Sequence, residues 1–441
     1  MYFKSFFNQP LAQMSYLVGC QRTGEAIIID PLRDLTPYIE TAESENLAIK
    51  YVTETHIHAD FASGLRETVS RLGAKAYVSG LGGDDWQYKE VEAERLSEGD
   101  VIEVGNVKLK VIHTPGHTPE SISFLLTDNQ SDIPMGLFTG DFIFAGDVGR
   151  PDLLETAAGI KNSTEIGAKE MFRSLKKTDE LPDYIQIWPG HGAGSACGKS
   201  LGAVPMTTLG YERINNWAFQ YADEAAFITA LTSEQPEPPH YFKEMKRINR
   251  DGVAPYSEEK VMPLSALTDD MTIDLRTKEV FAENESKGIN VPYNKKFLSF
   301  AGWYLDYTQP LQLIGNFEDV QQAADELKMI GFDNVAGYLP GNKVEGKAYN
   351  QIEAEDFKVL DKSELNILDV RTQKEWDAGH FDQAVHLHFG KLLTEEIPFN
   401  KEEEIYVHCQ SGVRSAIAMS ILENQGYTNT INIKGGYAAA K

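Results

Sequence analysis

Thr55-His56-Ile57-His58-Ala59-Asp60-Phe61 follows on the β-rich run Ile49–Thr55 (IKYVTET), and its reading decides the fold of the first half of the chain. In an extended segment, residues i and i+2 project to one side, so His56 and His58 can both reach one metal ion. A second run, Val107–Ile112 (VKLKVI), alternates as a half-buried strand does and stops before the turn His113-Thr114-Pro115-Gly116. Both runs deliver ligand-type residues to the C-terminal end of a strand, where α/β folds commonly build sites. Three further elements follow in order: Thr114-Pro115-Gly116-His117-Thr118, then Thr139-Gly140-Asp141 after apolar Gly136–Phe138, then Trp188-Pro189-Gly190-His191-Gly192. A lone histidine is most often a satisfied polar group. Four such elements in this order point to a metal centre.

The combination resembles the metallo-β-lactamase fold, an αββα sandwich of two sheets with helices outside, here covering residues 1–232. That resemblance implies His117 as a ligand and leaves His113 as a strand-end residue. Glyoxalase II-type hydrolases of the fold carry His-x-His-x-Asp-His, whose last pair helps to hold a second zinc. Here that last position is Phe61, which has no lone pair to donate. The remaining set, His56, His117 and Asp141, is two histidines and one carboxylate. Such a triad leaves positions open on one Fe(II) per chain for O₂ and a substrate sulfur, whereas a closed zinc site serves neither. His58, Asp60 and His191 are expected around the metal, orienting ligands and bound oxygen, a role that overlaps with satisfying buried polar groups. These motifs resemble the persulfide dioxygenases, which oxidise the terminal sulfur of a small thiol persulfide to sulfite with one iron. Gly149-Arg150-Pro151-Asp152 stands where that family has Gly-Arg-Thr-Asp. Arg150 is expected to hold a substrate carboxylate or phosphate; the alternative is a brace against Asp152.

Near the other end, Ile405-Tyr406-Val407-His408 reads as a buried strand feeding the loop Cys409-Gln410-Ser411-Gly412-Val413-Arg414. Ser415–Gln425 then reads as a helix closed by Gly426. Such a strand–loop–helix turns backbone N–H groups inward into an anion-binding nest. The helix N-terminus and Arg414 add positive charge. That field favours a thiolate at Cys409 and makes it a nucleophile toward sulfane sulfur. The loop resembles the active site of rhodanese sulfurtransferases, as do Asp369-Val370-Arg371, Glu375-Trp376 and Gly379-His380 upstream. In that family the loop cysteine carries a persulfide; Asp369 and Arg371 look like anchors of the fold.

The C-terminal half is an internal repeat. Ile273-Asp274-Leu275-Arg276-Thr277 lies over Leu368-Asp369-Val370-Arg371-Thr372 at an offset of 95 (Asp274 to Asp369), and the same register places Leu327 on Leu422 and Gly341 on Gly436. This predicts two rhodanese-like α/β domains, 258–350 and 351–441, after a polar linker, 233–257, that begins with Ser233–Pro239 (SEQPEPP). In the first copy Ile314 stands at the place of Cys409 and Asp319 at that of Arg414. With thiol and cation both gone, that copy is expected to be inactive, a spacer or docking domain. The whole arrangement resembles the CstB-type bacterial sulfide-detoxification fusions. It implies a small thiol persulfide, O₂ and sulfite as partners, thiosulfate as the final product and a homo-oligomer of unspecified size.

The 441 residues suggest about three domains. A formal charge of −25 disfavours nucleic acid and anionic membranes as partners. No apolar run approaches the ~18 residues of a membrane span, and the N-terminal stretch lacks a signal-peptide pattern. Three scattered cysteines, Cys20, Cys197 and Cys409, fit a reducing compartment, so the cytoplasm is expected. Cys20 is expected to be buried and inert, and Cys197, in a Gly-rich loop near the metal, inert rather than redox-active. Two other readings compete: a zinc thioester hydrolase of the glyoxalase II kind, and a non-enzymatic sulfur carrier.

Overall fold

Strands of the first half divide their side chains between two apolar interiors, as a period of two requires. Met14, Tyr16 and Val18 share one buried cluster with Ile27, Ile29, Leu109, Val111, Phe124, Phe138 and Trp188. The intervening Leu17, Ala26 and Ile28 pack on the other side, against Tyr38 and Ala42 of the helix Thr36–Ser44. In the same way Leu137 and Ile187 face Ala168, Met171 and Leu175 of the helix Ser163–Lys177. The result is two sheets face to face with helices outside.

The computed structural model describes residues 1–128, 131, 133–156, 159, 161–199 and 201–441. The chain divides into two units, Met1–Ser257 with Lys328–Gly331, and Glu258–Leu327 with Phe332–Lys441. In the first unit, one sheet runs in the order β1 (Tyr2–Asn8), β2 (Gln13–Cys20), β3 (Glu25–Ile29), β4 (Ala48–Thr53), β5 (Lys75–Ser79), β6 (Ala93–Leu96). The other contains β7 (Val101–Val104), β8 (Val107–His113), β9 (Ile122–Asp128) and β10 (Gly136–Gly140), followed after the hairpin β11 (Ile143–Phe144) and β12 (Asp147–Val148) by β13 (Gln186–Pro189) and β14 (Thr207–Thr208). Its order is β14-β13-β10-β9-β8-β7. Phe3, Tyr16, Phe138 and Trp188 stack between the sheets with ring centroids 4.6–6.1 Å apart. Truncating one such buried ring costs ~3–5 kcal/mol, so this stack is a main tie between the layers.

The expected linker at 233–257 is corrected in part. Phe242–Asp251 is a helix with Phe242, Met245, Ile248 and Asn249 buried, a spacing that gives it an apolar face despite its polar composition.

The second unit holds two parallel sheets. One has β15 (Met271–Asp274), β16 (Ile289–Asn290), β17 (Leu311–Gly315) and β18 (Val335–Pro340) in the order β16-β15-β17-β18. The other has β19 (Asn350–Ile352), β20 (Asn366–Asp369), β21 (Ala384–His386), β22 (Ile405–His408) and β23 (Thr430–Ile433) in the order β19-β23-β22-β20-β21. Apart from β19, strands paired by the offset of 95 occupy the same places in the two sheets. No helix among the described residues is long and apolar enough to cross a membrane.

Candidate metal centre and cysteine loop

His56 lies on the loop after β4, His117 on the loop after β8, and Asp141 just past β10. All three are buried. Their ligand atoms lie within 4.8 Å of one another, with Asp141 Oδ2 3.8 Å from His56 Nε2 and 3.5 Å from His117 Nε2. None of these three atoms has a hydrogen-bond partner among the described residues. Leaving one buried polar group unsatisfied costs ~1–3 kcal/mol, so three converging on one point fit a cation placed between them.

The surrounding bonds leave each of those atoms a free lone pair. His117 Nδ1 donates to the carbonyl of Arg150 at 2.8 Å. Thr55 Oγ1 donates to Asp30 Oδ2 at 2.9 Å and accepts from His56 Nδ1 at 2.9 Å. Each imidazole is thereby fixed with an unprotonated Nε2 turned to the centre. Asp141 Oδ1 accepts from His191 Nδ1 at 2.7 Å, and His191 Nε2 donates to Asp60 Oδ2 at 2.7 Å. Burial disfavours the imidazolium of His191, but the two carboxylates outweigh it and raise its pKa well above the usual value. Burial likewise opposes the charge on Asp141, yet His191, His56 and His117 hold its carboxyl well below the usual range.

His58 does not join the triad. Its Nε2 lies 3.2 Å from Asp30 Oδ1; burial pushes its pKa down, and Asp30 more than reverses this, lifting it to about 9. Phe61 is fully buried and packs with its ring 4.3 Å from that of His58. His113 ends β8 and donates from Nε2 to the carbonyl of Pro119 at 2.9 Å. Cys197 is fully buried, and burial first, then Asp60 and Asp141, pushes its thiol up. Ligand-type atoms of Asp60, His191 and Cys197 also lie within 4.8 Å of one another.

Arg150 corrects the sequence reading. It is buried, chelates Asp152 at 2.7 and 2.6 Å, and donates to the carbonyls of Ala196 at 3.1 Å and Pro236 at 2.6 Å. A guanidinium so engaged braces the loop and has no fork left for a substrate anion. Cys20 is buried as expected, but backbone and Thr23 hydrogen bonds to its sulfur outweigh burial and lower its pKa to about 7.

Three contributors were not singled out from sequence. Asp30 anchors Thr55 and His58, and its place after the apolar strand Ala26–Ile29 was the available signal. Tyr241 donates to the Asp60 carbonyl at 2.8 Å. Asn249 donates to the carbonyls of His58 and Phe61 and accepts from Ser63 N. The polar segment carrying Tyr241 and Asn249 gave no local signal.

In the second unit, Cys409 follows β22, buried, with Gly412 N donating to its Sγ at 3.0 Å. Gly412 has φ +105° and Gly436 φ +61°; a Cβ on Gly436 would come within 2.4 Å of the Cys409 carbonyl. The loop therefore needs glycine at both places. Arg414 pairs bidentately with Glu375 at 2.6 and 2.8 Å, so part of its charge is neutralised. Burial favours the neutral form of Glu375, but bonds from Arg414 and Thr372 hold its pKa at about 2. Arg371 chelates Asp369 and reaches Gln410 Oε1 at 3.2 Å, as an anchor of the loop does. In the preceding copy Ile314 is buried in β17, and Asp319 is half-buried and bonded to Asn316.

The family models agree with this division. The model described as the metallo-beta-lactamase superfamily matches residues 8–191, and that of the rhodanese-like domain matches residues 352–441. A solved metallo-beta-lactamase from Staphylococcus aureus subsp. aureus COL is 54% identical, with 77% of this chain and 99% of that one covered and a TM-score of 0.74. The hydroxyacylglutathione hydrolase of Rhodospirillum rubrum is 31% identical over 176 residues, 40% of this chain and 60% of the relative. Human persulfide dioxygenase ETHE1, mitochondrial, is 28% identical over 192 residues, 43% of this chain and 67% of the relative. The chain thus spans about 60% of the length of the hydrolase. The fold, the buried His/Asp cluster and these matches agree: the chain belongs to the metallo-beta-lactamase superfamily and carries a rhodanese-like domain at its C-terminal end.

Proposed function

We propose that the chain oxidises the terminal sulfur of a low-molecular-weight thiol persulfide to sulfite at one Fe(II) held by His56, His117 and Asp141. Cys409 takes the outer sulfur of a second persulfide molecule, whose thiol leaves, and passes it to that sulfite; the S–S bond on Cys409 breaks, giving thiosulfate and the free cysteine again, in the manner of the CstB-type fusions. The observation that carries this reading is the set of three unpartnered, buried donor atoms, two imidazole and one carboxylate, with Phe61 where a further imidazole would serve a second metal. Such a metal, when bound, supplies open positions for O₂ and for the substrate sulfur.

The chain's own residues do the rest. The carbonyl of Arg150 and the Asp30–Thr55 pair fix which nitrogen of each histidine is free. His191 holds one oxygen of Asp141 and leaves the other facing inward. At the second centre, the N–H of Gly412 donates to the sulfur of Cys409 and holds in place the atom that attacks sulfane sulfur.

One observation favours a second reading, a zinc thioester hydrolase: the likeness to hydroxyacylglutathione hydrolase is of the same order as that to the persulfide dioxygenase. Elemental analysis of protein made without added metal, with O₂ uptake on a small-thiol persulfide, separates the two. About one iron per chain and persulfide-dependent uptake are expected; two zincs and no uptake would replace this function with the hydrolase.

A further inference from the structure

The peptide unit joining Ser411 to Gly412 has a partner on each side. Its N–H, from Gly412, donates to Cys409 Sγ at 3.0 Å, and its carbonyl, from Ser411, accepts from Lys278 Nζ at 3.2 Å. Lys278 belongs to the other copy of the repeat, the one without a cysteine, where it opens the helix Lys278–Glu283. Thr277 caps that helix by accepting from Val280 N, which fixes its first turn. A Cβ on Gly412 would stand 3.0 Å from Lys278 Nζ, so the loop and the ammonium are fitted to each other.

We infer that Lys278 is a positioning residue of the Cys409 centre: its ammonium pins and polarises the Ser411–Gly412 peptide, so that the N–H stays on the sulfur and stabilises the anion. A cation on a carbonyl strengthens the N–H of the same peptide, because linked hydrogen bonds polarise one another. It also opposes a flip of the peptide, to which a glycine offers little resistance. The inactive copy thus contributes a charge to the active one. The inference rests on the proposed chemistry only in needing an anionic sulfur at Cys409.

Other charged groups face this loop. Arg414, on the following helix, is paired with Glu375. Arg371 is held by Asp369, which also lies 3.7 Å from His408. The ring of Tyr437 lies under Arg371, and its backbone N–H donates to the Cys409 carbonyl. Lys434 lines the same cleft as Lys278 and Gly412 and pairs with Glu353. Lys278 itself meets Glu279 only at 3.8 Å. Arg414, Arg371 and Lys434 are each bonded closely to a carboxylate; Arg414 also bonds the Cys409 side chain and Arg371 bonds Gln410, while Lys278 is the cation on the Ser411 carbonyl.

The test is alkylation of Cys409 by iodoacetamide in the full chain, followed by mass spectrometry of the Cys409 peptide. Lys278→Met, similar in length and uncharged, should react about three- to tenfold more slowly at pH 7. The gap should close above about pH 10, where a thiol ionises without help, and Lys278→Arg should restore most of the rate. An unchanged melting temperature in Lys278→Met shows that the fold is intact. Wild-type rates in Lys278→Met, or a deficit equal at every pH, would overturn the inference. Absence of sulfur transfer by the unaltered protein would sink the proposed function and leave this result standing.

Discussion

Asn249 donates its side-chain amide to the carbonyl of Phe61 at 2.7 Å, across 188 residues of sequence. The same amide donates to the His58 carbonyl at 2.8 Å, and its oxygen accepts from Ser63 N at 2.8 Å. One side chain therefore satisfies three backbone groups of the loop that carries His56, His58 and Asp60. Asn249→Ala should strip all three at once, at ~1–3 kcal/mol for a group left buried and unsatisfied. Expected outcomes are a melting temperature lower by about 5 °C or more and faster loss of bound metal to a chelator. A wild-type melt and chelation rate would mean that water replaces the amide without penalty.

His117→Ala and Asp141→Ala should each abolish metal retention and persulfide-dependent O₂ uptake, because each removes one of the three donors that converge on the site. Metal analysis after gel filtration is the direct measurement. Retention of one iron with near-normal uptake in either variant would show that the ligand set is wrong.

Phe61→His should raise affinity for a second divalent ion, since Asp60 and His191 already stand beside that position. Zinc titration followed by elemental analysis reads the stoichiometry. If it stays at one, the bonds from His191 to Asp60 and Asp141, and not the missing imidazole, keep the site single.

Cys409→Ser should separate the two centres. Serine keeps the loop's shape but holds no sulfane sulfur, so O₂ uptake should continue while the product changes from thiosulfate to sulfite. Chromatography of labelled sulfur anions distinguishes them. Thiosulfate at the unaltered rate would detach Cys409 from the reaction.

His388 offers a test by pH. Burial first, then Arg414 and Lys391, depresses its pKa to about 3, and the ring of Trp303 lies 4.8 Å away. The unfolded chain takes up this proton as pH falls through about 6.5, and the folded chain refuses it until about 3. Its contribution to stability is therefore complete at neutral pH and declines between those limits as acid is added. The ring resonances of His388 should not titrate between pH 5 and 8; a midpoint near 6.5 would refute its burial.

What the sequence made legible was what is local. The sheet positions of Ile49–Thr55 and Val107–Ile112, the grouping of His56 with His117 and Asp141, and the Cys409 loop all rest on short motifs or alternation. What escaped depended on partners far away in the chain. Arg150 reads as an anion ligand until Ala196 and Pro236 are seen to take the hydrogen bonds that Asp152 does not. The helix Phe242–Asp251 hides in a charged segment because only its buried face, Met245, Ile248 and Asn249, is meaningful. Lys278 carries no motif at all.

The contacts between the repeats bear on how this protein can be cut. A Cβ at Gly390 would lie 2.2 Å from the Trp303 ring, and Tyr304 donates to the Phe389 carbonyl at 2.8 Å. Asn290 N likewise bonds Ser420 on the helix behind Cys409. A fragment starting at Asn350 would bare an aromatic, glycine-floored surface and lose these bonds, inviting self-association. Excision of the cysteine-bearing half as a soluble reagent should therefore begin at Glu258, keeping the cysteine-free repeat as a permanent intramolecular chaperone.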